Sequence, residues 1–341
     1  MMIQNKKVLL IVILSFFIIT SCSKYAAKTY QSETYIEFSL DQVNTSINKA
    51  IDFLYESQLD YGEFETYACK DRGMTDCYFD SSPFVTTFVL YSIKDVQDSR
   101  VRLMTNKGIS FLLAEKEPGG IWKYWSSRNY KEIEPDLDDT AVISDILRRN
   151  RIDFEDNSDI IENNRNDEGL FYTWLDKNPE DNDVDCAVNT NVLLYLGEND
   201  AEVCSYINNA IEKDEDCSIY YPDKFSLYYM VSRAFMNNIS CFNENKNIII
   251  ERVLSKQEDD GSFGNPLQTA LAVNTLINYG YTETEIDHAI GYLVKHQNNN
   301  GSWPKEIFFI GAYFEDINFG SEELTTAIVV EALNKYILIQ E

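Results

Sequence analysis

Asp136, Asp138 and Asp139 stand within four residues, in Glu134-Pro135-Asp136-Leu137-Asp138-Asp139-Thr140-Ala141-Val142-Ile143, where an apolar helical pattern begins. Three carboxylates this close cannot all ionise cheaply. Like charge raises the pKa of at least one of them, and burial pushes the same way. A carboxylic acid that keeps its proton near neutral pH is a candidate general acid. The same residues also suit a helix start, because aspartates accept from free N–H groups and meet the positive end of the helix dipole. One residue can cap while its neighbour does chemistry.

What positions this stretch is a repeat. From residue 41 onward an amphipathic helix, a polar loop with Gly and an aromatic, and a more uniformly apolar helix recur. The loops are Tyr61-Gly62-Glu63-Phe64, Gly119-Gly120-Ile121-Trp122, Gly169-Leu170-Phe171, Gly261-Ser262-Phe263 and Gly301-Ser302-Trp303. A fourth unit, ending in a helix from Asp223 to Arg233, lacks the Gly-aromatic loop. Gln297 follows Gln257 by 40 residues and Asp183 follows Asp136 by 47, periods that mark arrays of helical hairpins. Ser82-Pro83 and Asn265-Pro266 supply a cap and a first-turn proline where second helices should begin. First helices carry a polar face; second helices such as residues 269–277 and 325–333 are apolar or small nearly all round, which reads as outer and inner. No strand alternation is strong enough to build a sheet on. The expectation is an all-α chain, an α/α toroid of six helical hairpins with inner and outer rings, occupying residues 41–341 as one domain.

Ring closure puts the outer-to-inner loops at one end. Asp80, Asp136, Asp138, Asp139, Asp183, Asp185, Asp223, Glu322 and Glu323, with Tyr228, Tyr229 and Gln268, then surround one mouth. A cavity rimmed by carboxylates and aromatics is the default site.

Acidic residues outnumber basic ones 56 to 29, for a formal net charge of −27. That argues against nucleic-acid binding through phosphates and against docking on anionic lipid through a basic face. At the N-terminus Lys6 and Lys7 precede an apolar run over residues 8–19, the length of a signal-peptide core. Ile19-Thr20-Ser21-Cys22 resembles the lipobox of bacterial lipoproteins, which implies a signal peptide over residues 1–21, acylation of Cys22 and a lipidated tether over 22–40. The expected location is exported and lipid-anchored, on the periplasmic or outer face, with the membrane met only through that lipid. Six further cysteines allow disulfides in an exported protein; Cys69 with Cys77 and Cys204 with Cys217 are the local pairs, and buried free thiols are the alternative. No C-x-x-C occurs, and neither a metal nor a cofactor is expected.

Two features together resemble the terpenoid cyclases of the squalene–hopene and class II diterpene type, within the superfamily that also holds protein prenyltransferases. The loops Gln257-Glu258-Asp259-Asp260-Gly261-Ser262-Phe263 and Gln297-Asn298-Asn299-Asn300-Gly301-Ser302-Trp303 look like that superfamily's Gln…Gly-x-aromatic repeats. Asp136-Leu137-Asp138-Asp139-Thr140-Ala141 is similar to its D-x-D-D-T-A acid motif. The resemblance implies that Asp138 donates a proton to an alkene or epoxide of an isoprenoid while Asp136 and Asp139 hold and polarise it. Such chemistry needs a dry pocket whose aromatic faces stabilise a cation. Candidate walls are Trp122, Tyr124, Trp125, Phe171, Trp174, Tyr228 and Tyr229.

Two other readings stand beside this one. A ring of hairpins also suits a glycan hydrolase or lyase, with Asp138 facing Asp185 or Glu323 across the mouth as a carboxylate pair. The third is a lipid-anchored toroid that binds an apolar ligand or partner protein and does no chemistry.

Overall fold

A computed structural model describes residues 38–311 and 314–340; the signal-peptide and Cys22 expectations lie outside these residues. Among the described residues twelve α-helices alternate between two rings. The outer members are α1 (Leu40–Ser57), α3 (Ser99–Ala114), α5 (Ser158–Glu162), α7 (Ala201–Lys213), α9 (Lys246–Leu254) and α11 (Thr284–Lys295). The inner members are α2 (Pro83–Ile93), α4 (Leu137–Arg149), α6 (Cys186–Leu196), α8 (Lys224–Met236), α10 (Pro266–Asn278) and α12 (Glu322–Gln340). Each inner helix packs on the next, and α12 packs back on α2, so the ring closes.

The sequence explains the layering. Every residue of α2 is buried, as are all but the last of α6, so these helices need no polar face. In α1 only Val43, Ser46, Ile47, Ala50, Ile51 and Leu54 are buried, a single stripe facing inward. Caps start the inner helices where expected: Ser82 accepts from Phe84 N–H before Pro83, and Asn265 forms a reciprocal capping box with Gln268 before Pro266.

The repeated loops are joints. Gln58, Gln257 and Gln297 each donate to the carbonyl of the glycine in their own loop and to a carbonyl of the following outer helix: Met104, Glu285 and Ser46 respectively. The last of these joins α11 to α1. Each loop's aromatic residue donates its backbone N–H to a threonine hydroxyl on the inner helix: Phe64 to Thr86, Trp122 to Thr140, Phe263 to Thr269 and Trp303 to Thr326. In the third unit Asn189 replaces threonine and accepts from Phe171. Thr140, inside the acid motif, is therefore a structural residue of the repeat.

The glycines permit close approach. Gly301 has φ +92°, and a Cβ there would run into the Lys49 carbonyl of α1. Gly301→Ala is expected to cost about 2 kcal/mol in strain and displaced backbone. Thermal melts should fall by roughly 3 °C for a domain of about 300 residues, while Ala at Gly280, which meets nothing within 4 Å, should cost less.

The structure adds a sheet that periodicity did not reveal. β1 (Tyr67–Cys69), β2 (Cys77–Phe79), β3 (Phe309–Gly311) and β4 (Phe314–Gly320) form an antiparallel sheet in the order β2-β1-β4-β3. Three of the strands have three residues each, too few to show a period of two, and the central β1–β4 pairing joins the first hairpin to the last.

Cysteine pairing also differs from local proximity. Cys69 bonds Cys77 across β1 and β2, but Cys217 bonds Cys186 and Cys204 bonds Cys241. The loop after α7 returns to the start of α6, where Cys186 N–H donates to the Cys217 carbonyl. Cys204, on α7, faces the turn after α8, so spatial layering overrides sequence distance. Among the described residues no helix is long and apolar enough to cross a membrane.

Candidate active site

The acid motif opens α4 in the wall of a cavity of about 680 Å³, counting its open mouth. Asp136, Asp138 and Asp139 all line it, with Tyr124, Trp125 and Trp174. Phe84, Ile133, Thr173, Tyr220, Tyr221, Phe309, Ile310, Gly311 and Phe319 complete the wall. The sheet supplies one side: Phe309 stacks on Phe319 at 5.0 Å and meets Phe84 and Tyr124 edge-on. Ile310 N–H donates to the Tyr220 carbonyl, tying β3 to the loop before α8.

Each aspartate has a separate job. Asp136 is the N-cap: its Oδ1 accepts from Asp139 N–H at 2.8 Å. The capping role holds for Asp136 and does not extend to its neighbours. Asp138 is fully engaged by side chains. Its Oδ1 accepts from Asn191 Nδ2 at 2.7 Å and its Oδ2 from the Tyr221 hydroxyl at 2.5 Å. The Arg233 guanidinium in turn donates to Asn191 Oδ1. Three consecutive inner helices and the loop before α8 thus hold one carboxyl. Asp139 leaves Oδ1 buried without a hydrogen-bond partner.

Burial raises all three pKa values, and the neighbours then separate them. Asp136 is pushed up to about 7, mainly by burial, against the lowering effect of Asp139 N–H. Burial and the adjacent charges of Asp136 and Asp138 drive Asp139 well above the usual carboxylate range, so it is the member that keeps a proton toward Asp136. Burial raises Asp138 too, but Tyr221, Asn191 and the charge of Arg233 all favour its carboxylate. Of the three, Asp138 is the one whose side-chain donors stabilise the conjugate base that proton donation leaves behind, which makes it the better proton donor. Asp139 lacks that equipment.

Other candidates sit elsewhere. Trp122 is fully buried beneath the ring; its Nε1 donates to the Leu112 carbonyl and its ring packs on Phe154. Phe171 takes the same joint position in the third loop and is covered by Arg165. Tyr228 and Tyr229 do not line the cavity; the Tyr229 hydroxyl donates to Glu331 at 2.7 Å, inside the ring. Asp185 caps α6, accepting from Ala187 and Val188 N–H, and also from the Ile219 and Tyr220 N–H groups. Glu323 is buried in the first turn of α12 outside the lining. Neither carboxylate faces Asp138 across open space, so the paired geometry expected for glycan hydrolysis is not formed. Among the described residues no cluster of three or more His, Cys, Asp or Glu could hold a metal ion.

Tyr220, Tyr221, Asn191 and Arg233 were not legible as site residues, though weak signals existed. Asn191 and Arg233 are polar residues within apolar inner helices, and the Tyr220-Tyr221 pair occupies the loop that lacks the Gly-aromatic signature.

No protein-family model matches the chain, and no curated protein matches it in sequence. Solved structures do match. A variant of the type II terpene cyclase MstE from Scytonema, in complex with geranylgeranyl dihydroxybenzoate as substrate, aligns with a TM-score of 0.66 at 17% identity, covering 88% of this chain and 99% of that one. The ent-copalyl diphosphate synthase from Streptomyces platensis aligns at 0.57 and 14% identity over 74% of this chain and 50% of its own. A possible GH105 family member from Salmonella enterica aligns at 0.54 and 11% identity over 93% and 99%. At these identities it is the architecture that is shared: the chain has the α/α toroid fold found in type II terpene cyclases.

Proposed function

We propose that the protein is a terpenoid cyclase that starts cyclisation by protonating an alkene or epoxide of an uncharged isoprenoid. One observation carries the reading: Asp138 meets an aromatic cavity while Tyr221 and the Asn191–Arg233 pair hold its carboxyl. Asp138 gives its proton to one alkene carbon, the π electrons form the new C–H bond, and the neighbouring carbon becomes cationic. A second alkene of the same chain attacks that carbon, closing a C–C bond and moving the charge along. Trp125, Trp174, Tyr124, Phe309 and Phe319 offer π faces to the travelling cation. Asp138 regains a proton from solvent after release. The MstE structure holds a geranylgeranyl substrate, and this chain spans 99% of its length, so one ring suffices for a protein of that name.

Charge favours an uncharged substrate. Among the described residues no lysine or arginine lines the cavity, whereas three carboxyl groups do. Lys131, beside Trp125, is bound by Asp80 at 2.8 Å; Lys177 lies over Trp174 close to Asp183. A diphosphate would find no cation on the described wall to pair it. Three disulfides suit an oxidising compartment and support the reading of an exported chain.

The test is mass spectrometry of organic extracts after incubating the protein, from Ser23 onward, with squalene, its epoxide, or geranylgeranyl diphosphate with Mg²⁺. An isomer formed from squalene or its epoxide, with the diphosphate unchanged, is expected. Retention of squalene on the protein without conversion would instead support the binding toroid.

A further inference from the structure

We propose that the Tyr220 hydroxyl, backed by the Asp183 carboxylate, is the base that ends the cyclisation. The assignment rests on the cyclase function above. A cyclising cation must be discharged, either by losing a proton or by capturing water, and none of the three acid-motif carboxyls suits the first task. Asp136 is committed to its helix cap, Asp139 holds a proton, and Asp138 is the donor.

Tyr220 lines the same cavity. Its O–H donates to Asp183 Oδ2 at 2.8 Å, and Trp174 Nε1 donates to its oxygen at 2.9 Å and to Asp183 Oδ2 at 3.2 Å. A tyrosine hydroxyl has one donor and two acceptor positions. The donor and one acceptor position are used, and one lone pair remains on a residue of the cavity wall. Asp183 keeps its other oxygen, Oδ1, buried and without a hydrogen-bond partner, so its capacity to accept a proton is not spent elsewhere. The other hydroxyls of the described wall lack this arrangement: Tyr221 is bound to the acid itself, and neither Tyr124 nor Thr173 makes a hydrogen bond to a carboxylate.

The step balances. The C–H bond beside the cationic carbon breaks and its electron pair becomes the product's alkene. The proton lands on the Tyr220 oxygen as that oxygen's own proton passes to Asp183 Oδ2. Asp183, half-buried, returns it to water. Tyr220 is the catalytic group and Asp183 the positioning and accepting residue behind it.

Wild type, Tyr220→Phe and Asp183→Asn would each be incubated with squalene, and the extracts resolved into isomers and water adducts. Wild type is expected to give mainly isomer. Tyr220→Phe is expected to consume squalene more slowly and to raise the ratio of hydrate to isomer on the order of tenfold, with Asp183→Asn shifting the ratio in the same direction. An unchanged ratio in both variants overturns the assignment while leaving the cyclase intact. Consumption abolished in a Tyr220→Phe protein that melts like wild type would make Tyr220 part of initiation, which also overturns it. Should Tyr220→Phe fail to fold, the Asp183→Asn ratio decides. No conversion by wild type removes the cyclase function and this assignment together.

Discussion

Asp138→Asn is expected to lower conversion by about 10²–10⁴-fold, the range that a positioned general acid contributes, with a thermal melt close to that of wild type. Asparagine matches the shape of the carboxyl and can still accept from Asn191 Nδ2 at the Oδ1 position, while the Tyr221 hydroxyl can turn to accept instead of donate. What is lost is the acidic proton. Little stability should go with it, because burial disfavours the native carboxylate. Asp139→Asn is expected to cost much less, since Asp139 is the member held protonated by burial and its two charged neighbours, and a neutral amide preserves that lack of charge. The pair of variants decides which aspartate delivers the proton. Full activity in Asp138→Asn with none in Asp139→Asn would transfer the role to Asp139 and end the argument built on Tyr221 and Asn191.

The parts of this site that sequence reached, and those it missed, divide along a physical line. Asp136, Asp138 and Asp139 are neighbours in the chain, so their crowding is visible without a fold. The toroid is also local information: six polar-then-apolar helix pairs, glutamine at the end of an outer helix, glycine and an aromatic in the loop. Closure, read from six units, is the contact of α12 with α2 and of Gln297 with the Ser46 carbonyl. The wall is different. Tyr124 and Trp125 lie near the acid motif in sequence, and they and the more distant Trp174 do reach the cavity. Trp122 has the same composition and nearly the same position, yet points its indole at α3, because the repeat uses that aromatic as its joint. Tyr228 and Tyr229 fall inside α8 rather than ahead of it, so Tyr229 faces packing partners and Tyr228 a separate pocket with Asp223 and Lys224, whereas Tyr220 and Tyr221, in the loop just before, reach the site. Phe309 and Phe319 arrive through a sheet whose central pairing joins the ends of the chain, a contact that no local pattern encodes.

Arg233→Met should reduce kcat by roughly 10–100-fold, equivalent to about 1.4–2.7 kcal/mol in the barrier, although Arg233 touches neither the cavity wall nor Asp138 directly. The guanidinium is buried against Phe88, Tyr91 and Tyr229 and donates to Asn191, which donates to Asp138. Its charge holds the Asp138 pKa down against burial. Methionine preserves much of the apolar contact and removes the charge. Two effects of opposite sign follow. With less support for its carboxylate, Asp138 becomes a weaker acid, and the plateau rate falls. The same loss raises its pKa, so the protonated form survives to higher pH and the descending alkaline limb of the rate profile moves upward. A purely structural defect would lower the rate without moving that limb. The measurement is kcat against pH for wild type and Arg233→Met, beside their thermal melts. A lower plateau with an unmoved limb would place Arg233 in packing alone, and the acidity of Asp138 would then have to rest on Tyr221 and Asn191 without the charge behind them.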